Sequence, residues 1–490
     1  MRLGDGFTAI AGRDRTLALA AVACAMVMDI VDLTIVNVAI PTLQARFDAG
    51  PAASQWLVAG YSTIFAIFLI SGGRLGDIFG YRRMLLTGMT AFMLASLACG
   101  LAPDVTVLVL ARLAQGAAAA VMLPQVMSLV QVMYPPQERV SALSLFGVLG
   151  GAAAVGGPVL GGLIIGVDLF GLGWRPIFLI NVPIGLLTIL AIIRFVPEGR
   201  SPHALKLDWP GTALAMATVS ALMLPLVQGR EHGWPLWSLL LLAATGPLAV
   251  ALMVYSRRRM AVDGSALVVP ALFDDPGYRL GLAMAVLFQI GLAGLLFILT
   301  QALQVGLHYS PEVVGLVHVP YAVGASTAIG LLARKALPRF GAKVIIAGAA
   351  TMTVGLIVLR AQLTGGVASP WLLAPTMLTM GLGMGLIVGP LGPITLSEVD
   401  RARAGAASGL FKAVQEIGGA IGVAVPGGVY LSLAGQDPAR AIGAFSTALL
   451  LVGGSFAATA LLAGAVPKGL KVFGARPVVD QPVMQGLGPE

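Results

Sequence analysis

Long apolar runs separated by short polar stretches set the pattern of this chain. A helix needs about 20 mostly apolar residues to cross a bilayer. By that measure spanning helices are predicted near 16–40, 53–71, 84–102, 105–133, 140–166 and 175–195. A pair follows near 209–228 and 236–256, then a second set near 279–305, 313–334, 343–363, 370–396, 404–433 and 441–466. The pattern predicts an all-α polytopic membrane protein with 14 transmembrane helices, two six-helix bundles plus two inserted helices. The runs are too long and too continuous for barrel strands, which leaves helices to satisfy the backbone in lipid.

The polar stretches at 196–208 and 257–278 bracket the middle pair and read as linkers. The expected organisation is an N-terminal bundle over 1–200, a linker with the inserted hairpin over 201–262, and a C-terminal bundle over 263–468. The Pro/Gly-rich tail 469–490 has little periodicity and is expected to be disordered.

Composition agrees with the pattern. The chain is 58% hydrophobic and 11% charged, against roughly 25% charged for soluble domains. Its formal charge of +8 does not point to nucleic acid, because the basic residues are sorted by loop. Of the 30 Lys and Arg residues, only Arg46, Arg175, Arg230, Arg360 and Arg440 fall in one set of alternate loops. Arg112 and Lys412 lie inside spans, and the rest sit at the other set and both termini. The positive-inside rule then predicts a multi-pass protein of the cell membrane with both termini cytoplasmic. The start, with Arg2, Arg13 and Arg15, reads as the lead into a first spanning helix and not a cleaved leader, since the run holds Asp29 and Asp32.

Two cysteines, Cys24 and Cys99, and four scattered histidines offer neither a disulfide framework nor metal-ligand spacing. A phosphate-binding G-x-x-x-x-G-K-[ST] sequence is missing, which argues against direct ATP drive. No cofactor is expected.

Ionisable groups inside spans are costly and therefore mark function by default. Asp29, Asp32, Arg112, Lys412 and Glu416 are such groups. The i,i+3 spacing of Asp29 and Asp32 places them on one helix face. Two carboxylates in a low-dielectric cavity repel, and burial favours the neutral acid, the property that proton coupling needs. Arg112 can serve them, or can simply lock two helices. Lys412 and Glu416, at i,i+4, can form an intrahelical salt bridge; the pair is structural if it points away from the cavity, and binds a polar substrate or a second proton if it lines it. Gln301 and Gln304 are candidates for substrate contact or for interhelical hydrogen bonds.

The segment 72–83, Gly-Gly-Arg-Leu-Gly-Asp-Ile-Phe-Gly-Tyr-Arg-Arg, reads as a charged hairpin whose glycines allow close helix approach. A weaker echo at Gly330 to Lys343 holds the same place in the second half, as expected of a transporter built from repeats.

Gly73, Asp77, Gly80, Arg82 and Arg83 resemble the signature between helices 2 and 3 of the major facilitator superfamily, with Ile78 departing where Arg is common. Asp32-Leu-Thr34-Ile-Val-Asn37-Val-Ala-Ile-Pro41 and Arg112-Leu-Ala-Gln115-Gly116 resemble its helix 1 and helix 4 patterns. Gly157-Pro158-Val-Leu-Gly161-Gly162 resembles the helix 5 motif of its antiporters, and Trp174-Arg175 and Asn181-Val-Pro183-Ile-Gly185 follow as in the 14-helix group.

The chain is most similar to the drug:proton antiporters of that superfamily. The resemblance implies export of hydrophobic or amphipathic compounds, such as antibiotics, driven by the proton gradient. It assigns proton coupling to Asp32, with Arg112 beside it, and implies no enzymatic activity. Asp77 and the arginines would form a cytoplasmic latch of the outward-open state. A monomer with small-molecule substrate, protons and lipid as its partners is expected. An exporter of an endogenous lipid or metabolite remains the alternative, and a polytopic membrane enzyme a distant one.

Overall fold

The computed structural model describes residues 12–201, 206–229, 232–365, 369–397, 399, 403–435 and 437–466. All regular structure among the described residues is helical. The expected tail lies outside them. The first six spanning helices are α1 (Gly12–Phe47), α2 (Pro51–Phe79), α3 (Tyr81–Gly100), α4 (Val105–Met133), α5 (Pro136–Val167) and α6 (Pro176–Phe195). The inserted pair is α7 (Trp209–Gly229) and α8 (Leu236–Asp263). The second six are α9 (Pro276–Gly306), α10 (Pro311–Ala333), α11 (Lys343–Thr364), α12 (Pro370–Thr395), α13 (Ala404–Ala434) and α14 (Pro438–Gly464).

The starts follow local chemistry. Asp104, Asp208, Asp275 and Asp437 each accept a hydrogen bond from a backbone N–H of the first turn, which satisfies a donor the helix leaves open. Proline at the first position of α2, α9, α10 and α14 fits because its missing N–H has no helical partner anyway. Inside α1, Pro41 does not end the helix, which continues to Phe47 and so runs past the predicted end at 40. In a membrane helix the freed backbone group finds another partner.

The segment 72–83 is not a loop. α2 runs through it to Phe79, and only Gly80, at φ +102°, breaks the chain before α3 begins at Tyr81. Its glycines serve packing against α4: a Cβ on Gly72 would stand 2.0 Å from the Ala120 carbonyl oxygen, and one on Gly76 1.8 Å from Gln125. The second half repeats the break at Gly341, φ +55°, directly after Phe340 as Gly80 follows Phe79.

The two bundles meet along α5 against α10 and α2 against α13. Among the described residues the tight contacts lie toward the arginine-poor end. Gln304 donates to the Val38 carbonyl at 2.9 Å, Gln301 to Gln44 at 3.2 Å, and Gln55 to the Ala424 carbonyl at 3.2 Å. The α5 glycines complete this closure. A Cβ on Gly162 would stand 2.3 Å from the Pro311 carbonyl oxygen of α10, one on Gly157 1.9 Å from Thr34 Oγ1 of α1, and one on Gly161 2.8 Å from Ile35 of α1. α5 is therefore clasped between α1 and α10.

Candidate functional site

Asp32 sits at the centre of the first bundle, and Arg112 reaches it from α4 at 2.5 Å, both side chains fully buried. Gln115 and Asn181 each donate an amide N–H to the other carboxylate oxygen at 2.8 Å. Ser96 of α3 ties those two amides together. Arg112 also donates to Gln115 Oε1 at 2.7 Å and, through Nε, to the Leu57 carbonyl at 3.1 Å. That carbonyl belongs to a π-helical turn, Trp56–Gly60, where the ordinary helical ladder is interrupted and a carbonyl is released for another donor. Two buried charges are tolerable only when paired and fully hydrogen-bonded. Residues from α1, α2, α3, α4 and α6 satisfy both Asp32 oxygens and the Nε and Nη1 of Arg112, while Arg112 Nη2 is buried with no hydrogen-bond partner among the described residues.

Gly116, next to Gln115, makes the arrangement sterically possible. A Cβ there would stand 2.5 Å from the Tyr61 carbonyl oxygen, so only glycine lets α4 lie this close to α2. The close approach brings the Arg112 guanidinium over the Tyr61 ring, 4.4 Å from its centroid.

Asp29 faces differently from Asp32, although both are buried. The Tyr61 hydroxyl donates to Asp29, and its electrostatic neighbours across the seam are Glu416 and Lys412 of α13. Tyr61 thus touches both acidic positions, one through its ring partner Arg112 and one through its hydroxyl. The predicted Lys412–Glu416 salt bridge forms at 2.6 Å. Glu416 is also held from the other bundle, where Ser62 of α2 donates to Oε2 at 3.1 Å. The pair therefore belongs to the seam between bundles and not to the outer wall.

The remaining sequence candidates fall into two other places. Gln301 and Gln304 lie in the closed seam described above, away from Asp32. Asp77 accepts from the Tyr81 hydroxyl at 2.9 Å, and Arg82 pairs with Glu198 at 3.2 Å and bonds the Ile193 carbonyl, all within the first half; Arg83 is exposed. Arg74, inside the same segment, has the widest reach. Its guanidinium donates to the carbonyl of Lys206 on the linker before the inserted pair and to those of Ser265 and Ala266 on the linker after it. Asp208 adds to this junction, accepting from the Tyr255 hydroxyl at 2.6 Å and the Leu267 amide at 2.7 Å.

Sequence reasoning did not single out Tyr61, Ser62, Ser96 or Arg74 as site residues. Asn181 carried a signal, as a polar residue in the Asn-Val-Pro-Ile-Gly stretch that resembles the 14-helix group. The hydroxyl residues carried none, because Ser and Tyr within apolar spans are unremarkable until a neighbour is known.

Residues 22–423 match the Major Facilitator Superfamily. The chain is 37% identical over 431 residues to a probable actinorhodin transporter of Streptomyces coelicolor, covering 87% of this chain and 74% of that one. It is 35% identical over 422 residues to the cephamycin export protein CmcT of Amycolatopsis lactamdurans, covering 84% of each. The puromycin resistance protein pur8 of Streptomyces alboniger matches at 30% over 463 residues, 92% of this chain and 90% of that one. Among solved structures, a D-xylose-proton symporter overlays with a TM-score of 0.66 at 17% identity, over 94% of this chain and 99% of that one, a likeness of fold alone. With 14 helices long and apolar enough to cross a membrane, this is a multi-pass membrane transporter and not an enzyme, and the chain belongs to the Major Facilitator Superfamily.

Proposed function

We propose that the protein is a secondary-active exporter that exchanges inward-moving protons for a hydrophobic or amphipathic compound moving outward. The two bundles rock about the seam, and the exchange takes place in the cell membrane with both termini in the cytoplasm. The arginine-poor end is then the outer face, and its closure by α5, α10 and the glutamines corresponds to a state facing inward. No cofactor beyond the proton gradient is required. The protein works as a monomer.

One observation carries this reading: a buried Asp32–Arg112 pair linked through Tyr61 to a second buried carboxylate, Asp29, that looks across the seam. A proton arriving at this cluster changes its charge balance. Arg112 must then lose or exchange its partner, and Asp29 changes its attraction for Lys412 and repulsion from Glu416. The second change acts directly on groups of the second bundle, and Tyr61 links the first to it, which is how proton occupancy can bias the equilibrium between two bundle arrangements. The relatives named for actinorhodin and cephamycin favour a second, narrower reading, export of one defined metabolite.

The test is transport in proteoliposomes under an imposed pH gradient, with a panel of amphipathic dyes and drugs. Gradient-dependent accumulation that collapses with a protonophore is expected. Movement of compounds at the same rate with and without the gradient would remove proton coupling.

A further inference from the structure

We propose that the Lys412 ammonium anchors an acidic group of the exported compound, so that the cargo site prefers amphipathic acids to their neutral or cationic counterparts. The inference rests on the exporter reading above and adds the substrate class.

Lys412 lies two turns inside α13, about 12 Å along the helix from its start. Its side chain is 48% exposed while that of Glu416, its partner, is 7% exposed. Asp29, Asp32 and Arg112 are likewise buried. Among the described residues, Lys412 is the charged group deep in the spans that stays accessible. It does not point to lipid. Glu416 shares its helix face and is bonded to Ser62 of α2, and Lys412 itself is electrostatically coupled to Asp29 of α1. One turn earlier, Gly409 faces Ile70 of α2. The ammonium therefore opens onto the space between the bundles.

Donor accounting points to an anion. A lysine ammonium has three N–H donors and no acceptor. One donor goes to Glu416 Oε1 at 2.6 Å, and among the described residues the other two meet no protein acceptor. On Glu416, Lys412 bonds one oxygen and Ser62 the other, so each oxygen already holds a donor. Asp29 is already held by Tyr61. A cationic cargo would meet the charged ammonium bonded to Glu416 and be repelled by it. A carboxylate, phenolate or sulfonate would find two unused donors. Glu416 then acts as the counter-charge that keeps the empty site neutral, sparing the lysine an uncompensated burial.

The experiment uses the full-length purified protein in detergent, with pyrenebutyrate, pyrenebutanol and pyrenebutylamine as fluorescent probes of closely matched apolar body. Wild type should bind the acid most tightly and the amine most weakly. Lys412→Gln should weaken pyrenebutyrate roughly tenfold or more, the range of a charge-assisted hydrogen bond, while retained pyrenebutanol binding reports a folded site. Lys412→Arg should keep acid binding, and Glu416→Gln, which frees the ammonium, should tighten it. Wild-type acid affinity in Lys412→Gln, a preference of wild type for the amine, or loss of acid binding alone in Glu416→Gln would each overturn the assignment. If binding follows the predicted order but proteoliposomes move pyrenebutyrate no faster under a pH gradient, the anion site stands and the exporter reading fails.

Discussion

Replacing Asp32 with Asn separates a structural ion pair from a coupling one. The amide can keep its oxygen toward Gln115 and Asn181, which donate to Asp32 Oδ1 at 2.8 Å each. It then presents an N–H to Arg112, where the carboxylate had accepted at 2.5 Å. The guanidinium is left charged, buried and facing a donor. Removing one partner of a buried pair costs about 3–5 kcal/mol, a large fraction of ordinary folding stability. Asp32→Asn should therefore lower the thermal unfolding temperature in detergent as well as abolish gradient-driven efflux. The informative variant is Asp32→Asn with Arg112→Gln, which removes both charges and should recover much of the lost stability. If the pair only locks α1 to α4, the recovered protein transports. The coupling account predicts a stable protein whose transport no longer responds to pH. Wild-type gradient-driven efflux in the double variant would refute the reasoning.

Other expectations follow from the same contacts. Gly72→Ala, whose Cβ would lie 2.0 Å from a backbone oxygen, should destabilise the first bundle by about 1–3 kcal/mol or more. Gly73→Ala, 3.6 Å from Pro124, should be nearly neutral in the same thermal melt. Arg74→Ala should speed hydrogen exchange at Ser265 to Leu267, because the junction that pins both linkers loses its central donor; unchanged exchange there would show that Asp208 holds the linkers alone. Gly162→Ala should wedge α5 from α10 and raise labelling of a cysteine placed at Ser310 by a membrane-impermeant reagent. Unaltered labelling would mean the seam absorbs the methyl group.

The spans were legible because the bilayer imposes a length and an apolarity that few residues violate. Their ends were less so. Pro41 and the glycines of 72–76 read as breakers by the rules of soluble proteins, whereas in the protein they continue helices. Those glycines answer to a neighbour, α4, that is some 50 positions away in the chain. The charged members of the site announced themselves, since Asp29, Asp32, Arg112, Lys412 and Glu416 are costly in a membrane. Their pairing did not. The i,i+3 spacing of the two aspartates put them on one face, yet Asp32 is engaged by α4 and α6 and Asp29 by α2. Which neighbour each one meets depends on how the bundle closes. For the same reason Gln301 and Gln304, alike in sequence to cargo ligands, lie in the closed end of the seam.

Substrate-induced proton release is the most direct measure of the central claim, that the Asp29–Tyr61–Asp32–Arg112 cluster carries the proton exchanged for cargo. The purified protein, in weakly buffered solution with a pH indicator, is mixed with a compound that it exports. The account predicts that wild type acidifies the medium on binding, and that protein with Asp29→Asn, or with Asp32→Asn and Arg112→Gln together, binds without releasing protons. Binding by wild type with no proton release, or release undiminished in both variants, would contradict it.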